Sequence, residues 1–243
     1  RIKSENQLFS DFYGEFGYDN FRKNLTLKNL VTMEAGLDWD EQYSSPFSPN
    51  AKAYYGNSLA NAVLDVKVKQ MPGKTFEYQS GSTQLLGFAL RKAVAMPLAS
   101  YASKKLWNPL GMEQNAYWTT DEIGVEKTFC CIHSNSRDFA KLGQLMLNDG
   151  KVDSLQIINK NYIQKLITPT KNSNGTYSYG MWINNDVKNK HYFFWGILGQ
   201  YIIVVPEKQL VIVRTGRSQG QTSDTKGRPA QVEFLVNEVV NNF

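Results

Sequence analysis

GILGQYIIVVPEKQLVIVRTG, residues 196–216, contains two runs of β-branched and aromatic residues separated by a proline and three polar residues. Apolar runs of this composition, bounded by turn residues, are typical of β-strands. The turn predicted at 206–209 is short, so the two strands are expected to pair in antiparallel fashion. Two similar runs precede this stretch, at 177–184 and 191–197. The sequence therefore predicts an antiparallel meander over residues 177–215.

Outside the meander, the apolar residues follow a helical spacing. Helices are predicted just after Thr26 and over 51–70, 80–95, 98–107, 138–150, 159–167 and 230–242. Residues 1–24 are polar and aromatic with several glycines, which indicates a connecting region. The order of the predicted elements, with helices first, then the meander and a final helix, indicates an α+β fold.

Composition and charge exclude several classes of protein. The 243 residues are 42% hydrophobic and 20% charged, as in globular proteins, and no apolar run is long enough to span a bilayer. Lys and Arg exceed Asp and Glu by 27 − 22 = 5, but they are scattered, which argues against nucleic-acid binding. The two histidines and two cysteines form no cluster with metal-ligand spacing. The cysteines are adjacent, Cys130 and Cys131, and a disulfide between them is expected to be strained.

Five segments in chain order carry a family resemblance. They are LTLKNLVTMEAGLDWDE (25–41), FEYQSGSTQLLG (76–87), LWNPLGM (106–112), SRDFAKLGQLMLNDG (136–150) and GILGQYIIVVPEKQLVIVRTG (196–216). Together they resemble the β-lactamase-type serine hydrolases, the fold shared by class C β-lactamases, DD-peptidases, family VIII esterases and 6-aminohexanoate-dimer hydrolases. The serine of the Tyr-x-Ser motif and the upstream GLDWDE favour the aminohexanoate-hydrolase branch. The resemblance implies an α+β fold of the β-lactamase/transpeptidase type, an antiparallel sheet flanked by helices plus a helical subdomain.

The resemblance covers nearly the whole chain and implies one domain, 1–243. A mainly helical part is expected at about 25–170, with strands and a C-terminal helix at 175–243. Residues 1–12 resemble the segment just past the family's nucleophile helix, so that helix and the N-terminal strands are expected ahead of Arg1. The only Ser-x-x-Lys in the sequence runs from Ser223 to Lys226, in a polar stretch far from the expected helix, and is attributed to chance.

The chemistry that the resemblance implies is acyl transfer through a covalent serine ester. A serine hydroxyl needs a base, and in Ser-x-x-Lys proteins a lysine one helical turn away takes its proton with the help of a tyrosine. By resemblance, Tyr78 completes this proton relay, Ser80 hydrogen-bonds the lysine or the substrate, and the Ile197 N–H lies in the oxyanion hole. Tyr-x-Ser also occurs at Tyr43 and Tyr101, so the flanking residues carry the assignment and the tripeptide does not.

The resemblance also implies that Tyr43, Trp195, Gly196 and Gly199 bind the substrate. Where the family usually has Lys/His-Thr/Ser-Gly, this chain has a phenylalanine followed by Trp195 and Gly196. A cation for a substrate carboxylate is missing there, which argues against penicillin-type substrates and favours less acidic esters or amides. A strand carrying a glycine bulge explains Trp195, Gly196 and Gly199 equally well.

The sequence thus predicts a serine hydrolase that cleaves an amide or ester bond of a small molecule, with no metal or organic cofactor. The alternative is a non-catalytic binding module that kept the fold and lost the nucleophile. No nucleic-acid partner and no membrane-spanning segment are predicted in this chain. The bacterial cell envelope or periplasm and the cytoplasm both remain open as its location. The apolar strand predicted near 210–214 is expected to be an exposed edge that promotes association.

Overall fold

The computed structural model describes residues 1–218, 220 and 222–242. Contacts between residues divide the chain into two compact units. The first contains Arg1–Lys104 and Ala116–His133, and the second contains Lys105–Asn115 and Ser134–Phe243. Both units combine helices with antiparallel strands, which agrees with the predicted α+β class.

The first unit is mainly helical. It contains α1 (Leu27–Val31), α2 (Pro49–Tyr55), α3 (Leu59–Val63), α4 (Ser80–Val94), α5 (Leu98–Ala102) and one antiparallel pair, β1 (Tyr117–Trp118) and β2 (Ile132–His133). The helix predicted after Thr26 is confirmed, because Thr26 and Asn29 bond each other's backbone N–H in a capping box. The prediction over 80–95 corresponds to α4, which buries Leu85 and Phe88 in the core of the unit.

Residues 1–24 contribute two buried aromatic side chains to this core, so their prediction as a mere connecting region is wrong. Three short 3-10 turns, at Phe9–Asp11, Gly14–Gly17 and Arg22–Asn24, bring Phe9 and Phe16 into the core. The buried Arg22 guanidinium lies over the Phe16 ring and donates to the Asp65 carbonyl at 2.8 Å. These contacts join residues far apart in the sequence, which local composition does not reveal.

The single helix predicted over 51–70 is also wrong, because the chain leaves helical geometry at Gly56. Its N–H ends α2 by donating to the Lys52 carbonyl, and a Cβ at this position would clash with that same oxygen. Ser58 then begins α3 as its N-cap, and Asp121 accepts the Leu59 N–H at 3.0 Å. The result is two short helices. The helix predicted over 98–107 is likewise shorter, with α5 followed by a π-helical turn at Ser103–Trp107.

Cys130 and Cys131 form a disulfide, whereas their adjacency predicts strain in such a bond. Cys131 has φ +76°, in the left-handed region, and its carbonyl accepts the Thr119 N–H at 3.0 Å. The indole N–H of Trp118 donates to the Cys130 carbonyl at 3.1 Å. The pair therefore belongs to a local turn beside β1 and links no distant segments.

The second unit is built on a four-stranded antiparallel sheet. It contains α6 (Ser136–Leu147), the hairpin β3 (Lys151–Val152) and β4 (Leu155–Gln156), α7 (Lys160–Leu166), β5 (Trp182–Asn184), β6 (His191–Gly196), β7 (Gln200–Val205), β8 (Leu210–Arg214) and α8 (Ala230–Asn242). The strands β5 to β8 lie side by side in sequence order, so the predicted meander is confirmed.

One face of this sheet packs against α6 and α7. Met146 of α6 and Ile163 of α7 share a core cluster with Tyr192 and Val204, which are directly opposite each other on β6 and β7. Because side chains alternate along a strand, Phe194 lies on the same face as Tyr192, and it packs against the same cluster. The helix α8 contacts β7 and buries Val232 and Val236.

Candidate active site

Tyr78 and Ser80 lie at the start of α4. The N-cap residue of this helix, Gln79, makes no capping bond with its side chain. Instead, the Ser80 N–H donates to Glu41 Oε2 at 2.8 Å. A carboxylate is stabilised at a helix N-terminus by the partial positive charge there. Glu41, in the loop after α1, therefore caps a helix that is remote from it in sequence.

The Glu41 carboxylate accepts four hydrogen bonds. Its Oε1 accepts from the Tyr43 hydroxyl at 2.6 Å and from Ser80 Oγ at 2.5 Å. Its Oε2 accepts from the Trp39 indole N–H at 3.0 Å in addition to the Ser80 N–H. All four donors are neutral. Within the described ranges, no lysine or arginine forms a salt bridge with Glu41.

The charge of Glu41 also reaches the phenol of Tyr78. Burial and this charge raise the pKa of Tyr78 from 10.0 to about 12. Partial burial, together with the charge and hydrogen bond of Glu41, raises the pKa of Tyr43 as well. Both phenols are therefore protonated near pH 7. For Tyr78 to accept a proton as a base, a nearby cation has to offset the charge of Glu41.

The structure thus brings three predicted site residues, Tyr43, Tyr78 and Ser80, around a carboxylate that the sequence reasoning missed. The Ser80 hydroxyl, predicted to bind a lysine or the substrate, donates to Glu41. Tyr43 keeps 60% of its surface exposed. The acidic run DWDE, in a loop otherwise rich in turn formers, could have indicated Glu41. Its partner Ser80, however, lies far along the sequence.

Trp39 belongs to the wall behind this carboxylate. Its side chain is buried, and its N–H is shared between Glu41 and Asn50 Oδ1, the latter at 3.0 Å. Its ring lies so close to Gly81 that a Cβ there would clash with it. The loop that carries Glu41 is therefore folded around a buried tryptophan.

The remaining predicted site residues lie in the β6–β7 hairpin. Trp195 and Gly196 end β6, and residues 197–199 form the turn. Leu198 and Gly199 have φ +63° and +82°, the left-handed backbone that tight hairpin turns require. Ile197, whose N–H is predicted to lie in an oxyanion hole, has a side chain that is 51% exposed.

Arg214, at the end of β8, holds this turn in place. Its guanidinium donates to the Gly199 carbonyl at 2.6 Å and to the Ser218 carbonyl at 3.1 Å. A Cβ on Gly199 or on Gly216 would clash with the guanidinium. Two structural features therefore require glycine at position 199: its left-handed backbone conformation and the space that Arg214 occupies. Substrate binding is a further role predicted for it.

The chance Ser-x-x-Lys of the sequence shows no catalytic geometry. The Lys226 ammonium forms an ion pair with Asp186 at 2.7 Å, while Ser223 lies in a short bridge with Pro229. In the part of the chain that the structure describes, no group of His, Cys, Asp and Glu could hold a metal ion. None of the helices described there combines the length and apolarity that crossing a membrane requires.

A protein-family model described as Beta-lactamase matches residues 15–235. The chain belongs to the β-lactamase family. The resemblance proposed from the five segments is thereby confirmed. The 6-aminohexanoate-dimer hydrolase of Paenarthrobacter ureafaciens is 20% identical over 148 aligned positions, which cover 57% of this chain and 38% of that protein. An Escherichia coli K12 protein assigned as a D-alanyl-D-alanine carboxypeptidase is 20% identical over 269 aligned positions, which cover 87% of this chain and 61% of that protein.

Solved structures place the β-lactamase-family chain in the predicted fold class. A Bacillus anthracis protein assigned as a 6-aminohexanoate-dimer hydrolase superposes with a TM-score of 0.83 at 22% identity, over 99% of this chain and 66% of that one. The chain spans less than two thirds of the length of each of these three proteins. The likeness establishes the β-lactamase/transpeptidase-like fold, and the names of the relatives indicate a family of hydrolases.

Proposed function

We propose that this protein is a serine hydrolase that cleaves an amide or ester bond of a small molecule through an acyl-enzyme. The observation that carries the proposal is the group at the start of α4. Tyr78 and Ser80 are presented beside Glu41, a carboxylate with four neutral donors. This arrangement favours a cation next to Tyr78, which is where the resemblance implies the lysine of a Ser-x-x-Lys pair.

The proposed reaction assigns a role to each group. The serine hydroxyl, in a Ser-x-x-Lys ahead of Arg1, attacks the substrate carbonyl while the lysine takes its proton. Tyr78 assists this transfer and relays the proton from the lysine to the leaving group, and water later hydrolyses the ester so that the serine regains a proton. The Ile197 N–H donates to the oxyanion of each tetrahedral intermediate. The Ser80 hydroxyl donates a hydrogen bond to Glu41 and keeps lone pairs that accept one from the lysine once the lysine is protonated.

Once the lysine has taken the serine proton, its ammonium has a second effect in this proposal. Its positive charge offsets that of Glu41 and lowers the pKa of Tyr78 from about 12 toward the working range of a proton relay. Tyr43, Trp195, Gly196 and Gly199 are assigned to substrate binding. Because Trp195 and Gly196 follow a phenylalanine rather than a cation, the proposed substrates carry no carboxylate at that position.

Covalent labelling with a fluorophosphonate probe tests the proposal. The product of the complete reading frame should be labelled on the serine of a Ser-x-x-Lys ahead of Arg1. Tyr78→Phe should slow the labelling by about 10²- to 10⁴-fold, the usual contribution of a positioned proton-transfer group. Tyr101→Phe, which alters another Tyr-x-Ser, is the matched control and should leave the rate unchanged.

Two outcomes would contradict the proposal. One is an upstream region that is intact and contains no Ser-x-x-Lys. The other is a folded protein that retains small ligands but is never labelled, which would favour the non-catalytic binding module instead.

A further inference from the structure

A cavity of about 180 Å³, partly open to solvent, lies within the second unit, where the ends of β6, β7 and β8 meet the start of α6. Its apolar walls are Phe139 of α6 and three strand residues, Phe194, Ile202 and Val213. The three strand residues are cross-strand neighbours, since Phe194 pairs with Ile202 and Ile202 pairs with Val213. They form one row on the face of the sheet that packs against α6.

Gly196 lies at the end of this row, opposite Gln200 of β7. It lies two residues after Phe194 on the same strand, so a side chain at 196 would project from the same face of the sheet. A Cβ at 196 would lie 2.8 Å from the Cβ of Gln200, so the missing side chain makes room for Gln200, which lines the cavity beside the apolar row. The intervening residue, Trp195, belongs to the opposite face, where its ring packs at 4.8 Å from the ring of Trp182.

The polar side chains in the cavity wall already have partners. Gln200 bonds the Gly216 backbone in both directions, with its side-chain oxygen accepting the Gly216 N–H at 3.2 Å. The Thr215 hydroxyl lies 3.3 Å from the Ser136 hydroxyl. The one cation in the wall, Arg214, donates to two backbone carbonyls, as described above.

Tyr201 is the exception among the polar residues of the wall. Its buried hydroxyl has no hydrogen-bond partner among the described residues. Tyr201 pairs with Trp195 on one side and with Arg214 on the other, so its side chain lies in the row on the opposite face of the sheet. Arg214 shares that opposite face, so the face that opens to the cavity offers a ligand apolar surface and neutral polar side chains.

We propose that this cavity receives an uncharged apolar group of the substrate, of about the size of a benzene ring. The inference rests on the proposed hydrolase function, because Gly196 directly precedes Ile197, whose N–H is assigned to the oxyanion. An apolar cavity of about 150 Å³ is known to hold benzene, so the volume suits one ring or a short branched chain. A carboxylate would lose its hydration there without gaining a free donor. The substrate class is thus an ester or amide with a neutral aryl or alkyl group close to the reacting carbonyl.

Binding of two matched probes tests this inference without requiring activity. Benzyl alcohol and benzoate share one ring and differ in charge, and saturation-transfer NMR reports the binding of each to the protein. Benzyl alcohol should bind more tightly than benzoate by at least about tenfold, because only the carboxylate loses hydration without compensation. Equal binding of the two probes, or tighter binding of benzoate, would overturn the inference.

A pair of variants locates the probe. Val213→Phe fills the cavity and should weaken the binding of benzyl alcohol by about tenfold or more. Ile212→Phe adds the same ring one residue earlier, on the opposite face of β8, and should leave binding unchanged. Phe139→Ala enlarges the cavity and should strengthen binding of a two-ring alcohol such as naphthalenemethanol. Cooperative thermal unfolding of each variant confirms that it is folded.

The outcomes separate this inference from the proposed function. A folded Val213→Phe variant that binds benzyl alcohol as well as the parent protein rejects the cavity, whatever the labelling shows. A serine labelled by fluorophosphonate together with no ring binding rejects the cavity and keeps the hydrolase. Ring binding that Val213→Phe removes, in a protein that is never labelled, keeps the cavity as a ligand site and rejects the hydrolase.

Discussion

Glu41 shows how one side chain can control several others. Its carboxylate fixes the Ser80 hydroxyl, accepts the first N–H of α4 and holds the Tyr43 hydroxyl. Its negative charge also raises the pKa of the Tyr78 phenol, and the proposed mechanism requires no contact between these two side chains. The ionisation of Tyr78 is therefore the most direct measure of what Glu41 does, because a purely structural role would leave it unchanged.

Replacing Glu41 by glutamine should lower the pKa of Tyr78. The value should fall from about 12 but stay above 10.0, because the variant removes the charge and leaves the burial in place. Tyrosinate absorbance in the near ultraviolet, followed against pH, measures the change. The contribution of Tyr78 is isolated by subtracting the same titration of a Tyr78→Phe variant.

Glu77→Gln is the matched control for this measurement. Glu77 is next to Tyr78 in sequence, but its carboxylate lies 3.3 Å from the Lys69 ammonium. This variant should leave the Tyr78 titration where it was. If Glu41→Gln and Glu77→Gln shift the Tyr78 pKa equally, the special role of Glu41 is rejected.

At the scale of the elements, Gly56 decides that α2 and α3 are separate helices. Gly56→Ala should destabilise the protein by about 1–3 kcal/mol, because the new Cβ meets a backbone oxygen that cannot move away cheaply. Urea unfolding measures the change. Gly14→Ala is the control, since no atom lies within 4 Å of its added Cβ, and it should change stability by less than about 0.5 kcal/mol. A Gly56→Ala variant as stable as the parent would show that the break has another cause.

A feature of this fold is predictable from sequence when the residues that form it are neighbours in the chain, and is missed when they are far apart. The strands β6 to β8 and the helices α4 and α6 were predicted because their periodicity is encoded by adjacent residues. The break at Gly56 was missed because the apolar spacing continues across it. The core role of residues 1–24 was missed because Phe9 and Phe16 are buried by residues far along the chain.

The same reasoning applies to the candidate site. Tyr78, Ser80 and Tyr43 were found through motifs and resemblance, and the structure places them around one carboxylate. Glu41 was missed because its importance arises from a partner, Ser80, that only the fold brings near. The cavity beside Gly196 could not be predicted either, because its emptiness depends on how the neighbouring strands and α6 pack.

At the scale of the whole molecule, acid stability should depend on His191. Its side chain is buried, and its Nδ1–H donates to the Asn189 carbonyl at 2.8 Å, while Nε2 has no partner among the described residues. Burial and the charge of Arg228 lower the pKa of His191 below its usual 6.5, although the bond to Asn189 opposes them. The unfolded chain therefore binds a proton near pH 6.5 that the folded chain does not.

The free energy of unfolding should therefore have its full value above about pH 6.5. Below that pH it should fall by up to about 1.4 kcal/mol per pH unit for one proton. Urea midpoints between pH 7 and pH 5 measure the slope. His191→Gln should flatten the slope even where it lowers stability at pH 7. His133→Gln replaces the other histidine of the sequence, which is exposed, and this variant should keep the slope of the parent protein. A parent protein with no slope in this range contradicts the prediction.

Association of the whole molecule should depend on β8, which pairs only with β7 in the described part of the sheet. Leu210–Arg214 is a half-buried apolar strand, and an open edge of this kind can pair with the same edge of a second copy. We expect the 243-residue chain to self-associate as its concentration rises, which sedimentation velocity measures. Leu210→Lys should shift the protein toward monomer through charge repulsion at the edge, whereas Leu155→Lys, in the exposed β3–β4 hairpin, should not. A parent chain that is monomeric and folded at every concentration would show that this edge is protected.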